Sequence, residues 1–267
     1  MSARPAAQVR LRPIALPTEH GGWGLVLMPI ILGLGVAPSW AGLWIGLAAL
    51  AVFLVRQPLK LAIGDWRGGK RFARTRWALL FALAYGAAAL ACVAAAWAAG
   101  ARPCWEPLLL AAPLALVQFW HDTLKQSRAL LAELCGAAAI SAVAAIIARA
   151  QGWALAPACA LWLLQALQAC AAIVYVRTRI RLARGVVVPR APAIWLHVAA
   201  LGAVLALAWW RLVPALSGVA FAILAARAWA GLRPQALALP IPRVGMQEVG
   251  YSLVVVVMSI LGVHMAF

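Results

Sequence analysis

The chain reads as all-α, a polytopic transmembrane helical bundle of about nine helices, and three observations point there. Of its 267 residues 66% are apolar, and mean hydropathy is +0.95, against roughly 45–50% apolar content in soluble domains. A soluble fold of this length has nowhere to bury so much apolar surface. The apolar runs recur at lengths near the ~20 residues that cross a bilayer as a helix. The basic residues lie between these runs and not along one periodic face. The net charge of +17 is therefore a topological signal, and nucleic acid is not expected as a partner.

The candidate spans, in order, cover about residues 21–38, 40–56, 77–99, 105–120, 129–149, 155–176, 192–210, 213–231 and 249–266. Arg4, Arg10 and Arg12 precede the first span, as in a signal peptide, but no small-residue cleavage site follows. That span is kept as a helix. It opens within PTEHGGWGLVLMP, residues 17–29, where Gly21, Gly22 and Gly24 permit close approach to the backbone. The second span carries GLWIG, Gly42 to Gly46, a small-xxx-small pattern suited to tight helix packing. Pro58, just beyond it, is expected to interrupt the helix between Arg56 and Lys60. Pro107, Pro157, Pro192 and Pro214 mark first turns of later spans, where a missing N–H costs nothing. The five cysteines form no CxxC pair and no metal-ligand spacing. Residues 1–267 form one integral membrane domain on this reading, with a basic cytoplasmic tail over 1–20 and basic cytoplasmic loops over 57–76 and 177–191.

Nine alternating spans with a cytoplasmic N-terminus leave only Arg102, Arg149 and Arg211 of the 23 Lys and Arg on the outer side. This asymmetry sets the orientation and places the C-terminus outside. It also suits anionic membrane lipid. The same topology brings Glu19, Asp65, Asp122, Glu133 and Glu248 to the cytoplasmic side, with only Glu106 outside. His20, His121 and His197 also fall near inner helix ends.

Ionisable groups inside a membrane are costly and face a partner or a wet cavity. Glu19, His20, Glu133 and Glu248 are the candidate acid–base residues. Glu19 and His20 either help line an inward-facing polar cavity or satisfy ordinary partners, an Arg and a loop carbonyl. Arg56 with Lys60, and Arg177 with Arg181, are pairs four residues apart at inner helix ends and are candidate anion-binding groups. Their alternative is a lipid-facing basic collar. Gln57, Asp65, His121, Asp122, Lys125, Arg179 and His197 form a second tier of polar candidates. In HDTLK, His121 to Lys125, the neighbouring carboxylate could orient the imidazole. The GGK of DWRGGKRFARTR lacks the spacing of a phosphate-binding loop, and no HExxH or GxSxG is present. No metal site is assigned.

The segments PTEHGGWGLVLMP, RQPLKL and GKRFARTR together resemble the YwiC-like family of bacterial integral membrane proteins. The resemblance continues through HDTLKQSRALLAELCGA and VGMQEVGYSLVVVVM, and its most specific part is the HGxW start followed by Pro. It implies a bacterial inner-membrane location and brings no reaction with it. A more distant likeness is to the UbiA superfamily of membrane prenyltransferases, which implies nine helices around a central cavity. Those proteins carry two acidic motifs after the second and sixth helices, where they hold a prenyl diphosphate through magnesium. Here the corresponding positions are Arg56, Lys60, Arg177 and Arg181, so the spacing is similar and the charge is inverted. Magnesium needs oxygen ligands, which these residues lack, so magnesium is not expected there and no other cofactor is implied.

Three functions remain open. The first is an enzyme, or degenerate enzyme, of isoprenoid or quinone-type lipids, with the four basic residues on an anionic head group. The second is a transporter or lipid carrier without covalent chemistry. The third is an assembly or regulatory partner in the membrane. Membrane lipids and an anionic lipid or small molecule are the expected partners, and no feature of the chain sets an oligomeric state.

Overall fold

The computed structural model describes residues 10–17, 20–69, 72–238 and 240–266, and all its regular elements are helical. Glu19 lies outside the described residues, and only the backbone of His20 is described. The helices are α1 (Arg12–Ala15), α2 (His20–Val36), α3 (Trp40–Arg67), α4 (Ala73–Ala98), α5 (Trp105–Thr123), α6 (Leu130–Ala150), α7 (Leu155–Ala183), α8 (Ala191–Trp209), α9 (Ala215–Gly231) and α10 (Ile241–Ala266). A 3-10 turn, Pro234–Ala238, joins α9 to α10. Six of these helices, α3, α4, α6, α7, α8 and most of α10, are long and apolar enough to cross a membrane, while α2 and α9 are shorter apolar helices. The chain is a multi-pass membrane protein.

Two helices outrun their expected ends. The span expected over 40–56 continues to Arg67, because α3 passes through Pro58 without a break. Pro removes one hydrogen bond but need not end a membrane helix whose neighbours hold it in place. At 28 residues, α3 is about 42 Å long, well beyond a hydrocarbon core of ~30 Å. Gln57, Lys60 and Asp65 therefore lie on a helix and not in a loop. Likewise α7 runs to Ala183, so Arg177, Arg179 and Arg181 are helical. The N-terminal segment also has structure. Ile14 of α1 is buried with Ala62 of α3 and Ala78 of α4, and Tyr85 donates to the Ala15 carbonyl at 3.2 Å.

The core forms around α6, which packs against α2, α3, α5 and α7. Its sequence explains the position. Gly136, Ala137, Ala142, Ala144, Ala145 and Ala148 are all buried, and small side chains let neighbouring backbones come close. Of its most apolar window 56% is buried, against 11% for α4, which among the described residues packs mainly on α3 and α1. The glycines of GLWIG serve the packing expected of them. A Cβ on Gly42 would stand 2.9 Å from Ile147 Cγ2, and one on Gly46 would stand 2.8 Å from Ile30 Cγ2.

Helix ends meet in two sets. At one end His264 of α10 bonds the Gly35 carbonyl of α2, and Arg149 of α6 pairs with Glu106 of α5. At the other end the basic residues of α3, α7 and α9 meet carboxylates of α5, α6 and α10.

The close contacts of α2 with α6 give a direct test. A Cβ on Gly33 would lie 2.9 Å from Ile147 Cβ and 3.2 Å from Ala144 Cα, neither of which can rotate away. Gly33→Ala should lower the thermal unfolding midpoint in detergent, at a cost of about 1–3 kcal/mol from overpacking. In Gly86→Ala the new Cβ meets nothing within 4 Å, and the midpoint should rise through a helix-propensity gain of up to ~1 kcal/mol.

Candidate functional site

Each carboxylate among the described residues is held by an arginine. Asp65 pairs with Arg74, Glu106 with Arg149, Asp122 with Arg56, Glu133 with Arg177 and Glu248 with Arg227. A carboxylate in an apolar bundle must find a cation or lose its charge, and a guanidinium gives a rigid fork that fits two oxygens. Asp122 shows the full geometry: Arg56 Nε donates to Oδ2 at 2.6 Å and Nη2 donates to Oδ1 at 3.0 Å. Gln118, with its amide oxygen turned toward Arg56, accepts from Nη2 and Nη1 at 3.2 and 3.3 Å. Asp65 accepts both from Arg74, at 2.6 and 3.2 Å, and from the Thr75 hydroxyl at 2.7 Å.

Three of the four basic residues read from the sequence, Arg56, Lys60 and Arg177, converge on the connection between α5 and α6 and the helix turns that flank it. Lys60 Nζ donates to Ser127 Oγ at 2.7 Å, one turn below Arg56 on α3. Arg177 Nη1 donates to the Arg128 carbonyl at 3.0 Å and to Glu133 Oε2 at 2.6 Å. Arg67 donates to the Thr123 carbonyl at 2.8 Å. Lys125 turns the chain out of α5 with a left-handed backbone, φ 60°. Arg56 and Arg177 thus reach the same connection, each already on a carboxylate. The Arg181 side chain is exposed and makes no hydrogen bond or ion pair among the described residues.

The other candidates are scattered. His121 and Asp122 do not form a dyad: Asp122 turns to Arg56, while His121 Nδ1 bonds the Val117 carbonyl at 2.9 Å. His121 instead lines an open groove of about 510 Å³ with Leu116, Phe119, Trp120 and Leu131. Gln57 donates to the Pro13 carbonyl at 3.2 Å and ties α3 to α1. No three His, Cys, Asp or Glu among the described residues are placed to hold a metal ion.

A second polar cluster lies between α7, α8, α9 and α10, and the sequence reading found only parts of it. Arg179, 4% exposed, donates to Tyr175 Oη at 2.8 Å and to the Ala236 carbonyl at 2.8 Å. Arg227, 8% exposed, lies 4.1 Å over the Tyr175 ring and 5.0 Å over Tyr251, and donates to Glu248 Oε2 at 2.9 Å. His197 meets Tyr175 edge-on, at 6.1 Å between centroids. Below them Gln168 Nε2 donates to Ser252 Oγ at 2.8 Å, and Ser252 donates to the Glu248 carbonyl at 2.8 Å. Arg227, Tyr175, Gln165 and Gln168 were missed. A signal was available: Gln165, Gln168, Tyr175 and Arg179 fall on one face of a helix at spacings of three, seven and four.

The pairs differ in burial, and that difference predicts their sensitivity. The side chains of Arg56 and Asp122 are 33% and 3% exposed, those of Arg177 and Glu133 40% and 31%. Arg56→Ala leaves a buried, unpaired carboxylate and should cost about 3 kcal/mol. Arg56→Ala with Asp122→Ala should recover most of that loss, and Arg177→Ala should cost less than ~1 kcal/mol. Thermal unfolding of the purified variants in one detergent checks all three.

Residues 16–148 match the family model described as YwiC-like protein. That segment runs from the end of α1 through nearly all of α6 and includes Arg56, Lys60, Asp65, Asp122 and Glu133. No curated protein and no solved structure matches the chain. By this match the chain, an integral membrane protein, belongs to the YwiC-like family.

Proposed function

We propose that the protein binds the acidic head group of an isoprenoid- or quinone-type lipid at its basic end. It lies in the bacterial inner membrane with that end and the N-terminus in the cytoplasm and the C-terminus outside. It acts as a lipid carrier or as a divergent prenyltransferase-like protein, with a UbiA-like arrangement that has lost the magnesium-binding acids.

One observation carries this reading. At the basic end every described carboxylate already has its arginine, yet basic residues remain. Lys60 has only a hydroxyl partner. Arg181, Arg184 and Arg190 face no carboxylate within ion-pair distance among the described residues. An anion from outside the chain suits them, and at a membrane surface each such basic residue gains about 1 kcal/mol from acidic lipid. An apolar tail fits the surroundings, since Leu116, Phe119, Trp120 and Leu131 wall an open groove near the same end.

Two measurements test this. The purified protein, washed extensively in mild detergent, should retain one discrete acidic lipid by mass spectrometry; recovery of bulk phospholipid alone, in membrane proportions, overturns the reading. In a variant with its five cysteines replaced, a cysteine at Arg102 should react with an impermeant maleimide on intact cells. A cysteine at Arg190 should react only after permeabilisation, and the reverse pattern inverts the proposed orientation.

A further inference from the structure

We infer that the cluster between α7, α8, α9 and α10 is a built seat for one phosphate monoester, held by Arg227 and Arg179 on either side of Tyr175. In naming a lipid as the carrier of that group the inference rests on the function proposed above. The recognition chemistry is the same for a free phosphate.

The charge balance argues first. Arg179 and Arg227 are both buried, at 4% and 8% exposure, and both touch Tyr175. Among the described residues one carboxylate serves them. Glu248 takes Arg227, while Arg179 makes its bonds to a phenol and a carbonyl, both neutral. Two guanidiniums and one carboxylate leave a positive charge inside a medium that penalises it. The other four ion pairs each match one arginine to one carboxylate, so this surplus is particular to the cluster.

The unused hydrogen-bonding atoms argue second, and independently. Arg227 Nε and Nη1, Glu248 Oε1 and His197 Nε2 are buried and have no partner among the described residues. Buried polar atoms without partners are uncommon and call for a cause. Their chemistry is mixed. The Arg227 nitrogens can only donate. Glu248 Oε1 accepts. His197 Nδ1 stands 2.8 Å from the Ala193 carbonyl and so carries the proton, which leaves Nε2 of the neutral ring as an acceptor. A ligand that satisfies both kinds needs oxygens that accept and a hydroxyl that donates. A singly protonated phosphate monoester has both, together with the negative charge the two arginines lack. A carboxylate or a phosphodiester has no hydroxyl for Glu248 or His197. Guanidinium is the side chain best shaped for phosphate.

The position suits a membrane-borne ligand. Arg179 holds the turn between α9 and α10 through the Ala236 carbonyl, at the same end of the bundle as the other basic groups. Gln168 and Gln165 continue the polar face of α7 away from that end, and Gln165 Nε2 is also unpartnered.

The test compares lipid retained by the wild type, R179Q, Y175F and the double variant R227Q/E248Q, which removes that pair together and leaves the net charge of the cluster unchanged. A stripped sample of each is also heated with inorganic phosphate, with sulfate as control. A phosphate monoester lipid on the wild type should fall about tenfold in R179Q and in the double variant, the worth of a charged hydrogen bond. It should fall less in Y175F. Phosphate should raise the unfolding midpoint of the wild type and not that of R179Q. Y175F keeps every charge and loses one hydroxyl, so it decides the matter even where R179Q does not fold. Undiminished lipid in Y175F and the double variant overturns the seat and leaves the lipid-binding function standing. Stabilisation by phosphate in the wild type alone, without a retained lipid, keeps the seat and overturns the lipid. Neither lipid nor stabilisation overturns both.

Discussion

The structure depends on how an apolar bundle treats a carboxylate. The chain has six Asp and Glu in 267 residues, and each one described is gripped by an arginine from another helix or, for Asp65, from the next helix across a short turn. In water such pairs contribute little, because solvent screens both partners. Where the pair is buried, as for Asp122 and Glu248, it is a strict requirement, since the carboxylate has no other cation to turn to. The acids therefore act as registration points. Asp122 fixes α5 against α3 and Glu248 fixes α10 against α9, while the more exposed Glu133 links α6 to α7 weakly.

These registrations explain why the basic residues divide into two kinds. Arg56, Arg74, Arg149, Arg177 and Arg227 are structural in the first instance. Lys60, Arg181, Arg184 and Arg190 have no carboxylate partner among the described residues. Arg179 fits neither kind: it is as buried as Arg227, yet it has no carboxylate partner among the described residues. That combination sets the α7–α10 cluster apart.

Much of the architecture was legible from composition. The helical class, the places of α2 to α10 and the two-ended distribution of charge follow from apolar run lengths and from where Arg and Lys interrupt them. Helix ends were less legible. Pro58 and the polar residues around it read as a break, yet α3 continues because its neighbours hold the helix together past Pro58. The candidate site divided along the same line. Arg56, Lys60, Arg177 and Glu133 could be named because they cluster in sequence near helix ends. Their occupancy by one another could not, since Arg56 and Asp122 are 66 residues apart. Arg227 was not singled out because it sits near the end of a short helix, and its burial comes from neighbouring helices. Gln165 and Gln168 were passed over as neutral residues in an apolar run, although their helical spacing from Tyr175 was there to be read.

The alanine and glycine surface of α6 has a mechanical consequence. Long side chains let packed helices slide, because their rotamers can change as neighbours move. A face of methyl groups has no such slack, so α2, α3, α5 and α7 are keyed to α6 at backbone distance. One larger residue on that face would therefore displace several neighbours at once, and the disturbance would reach all four helices keyed to it.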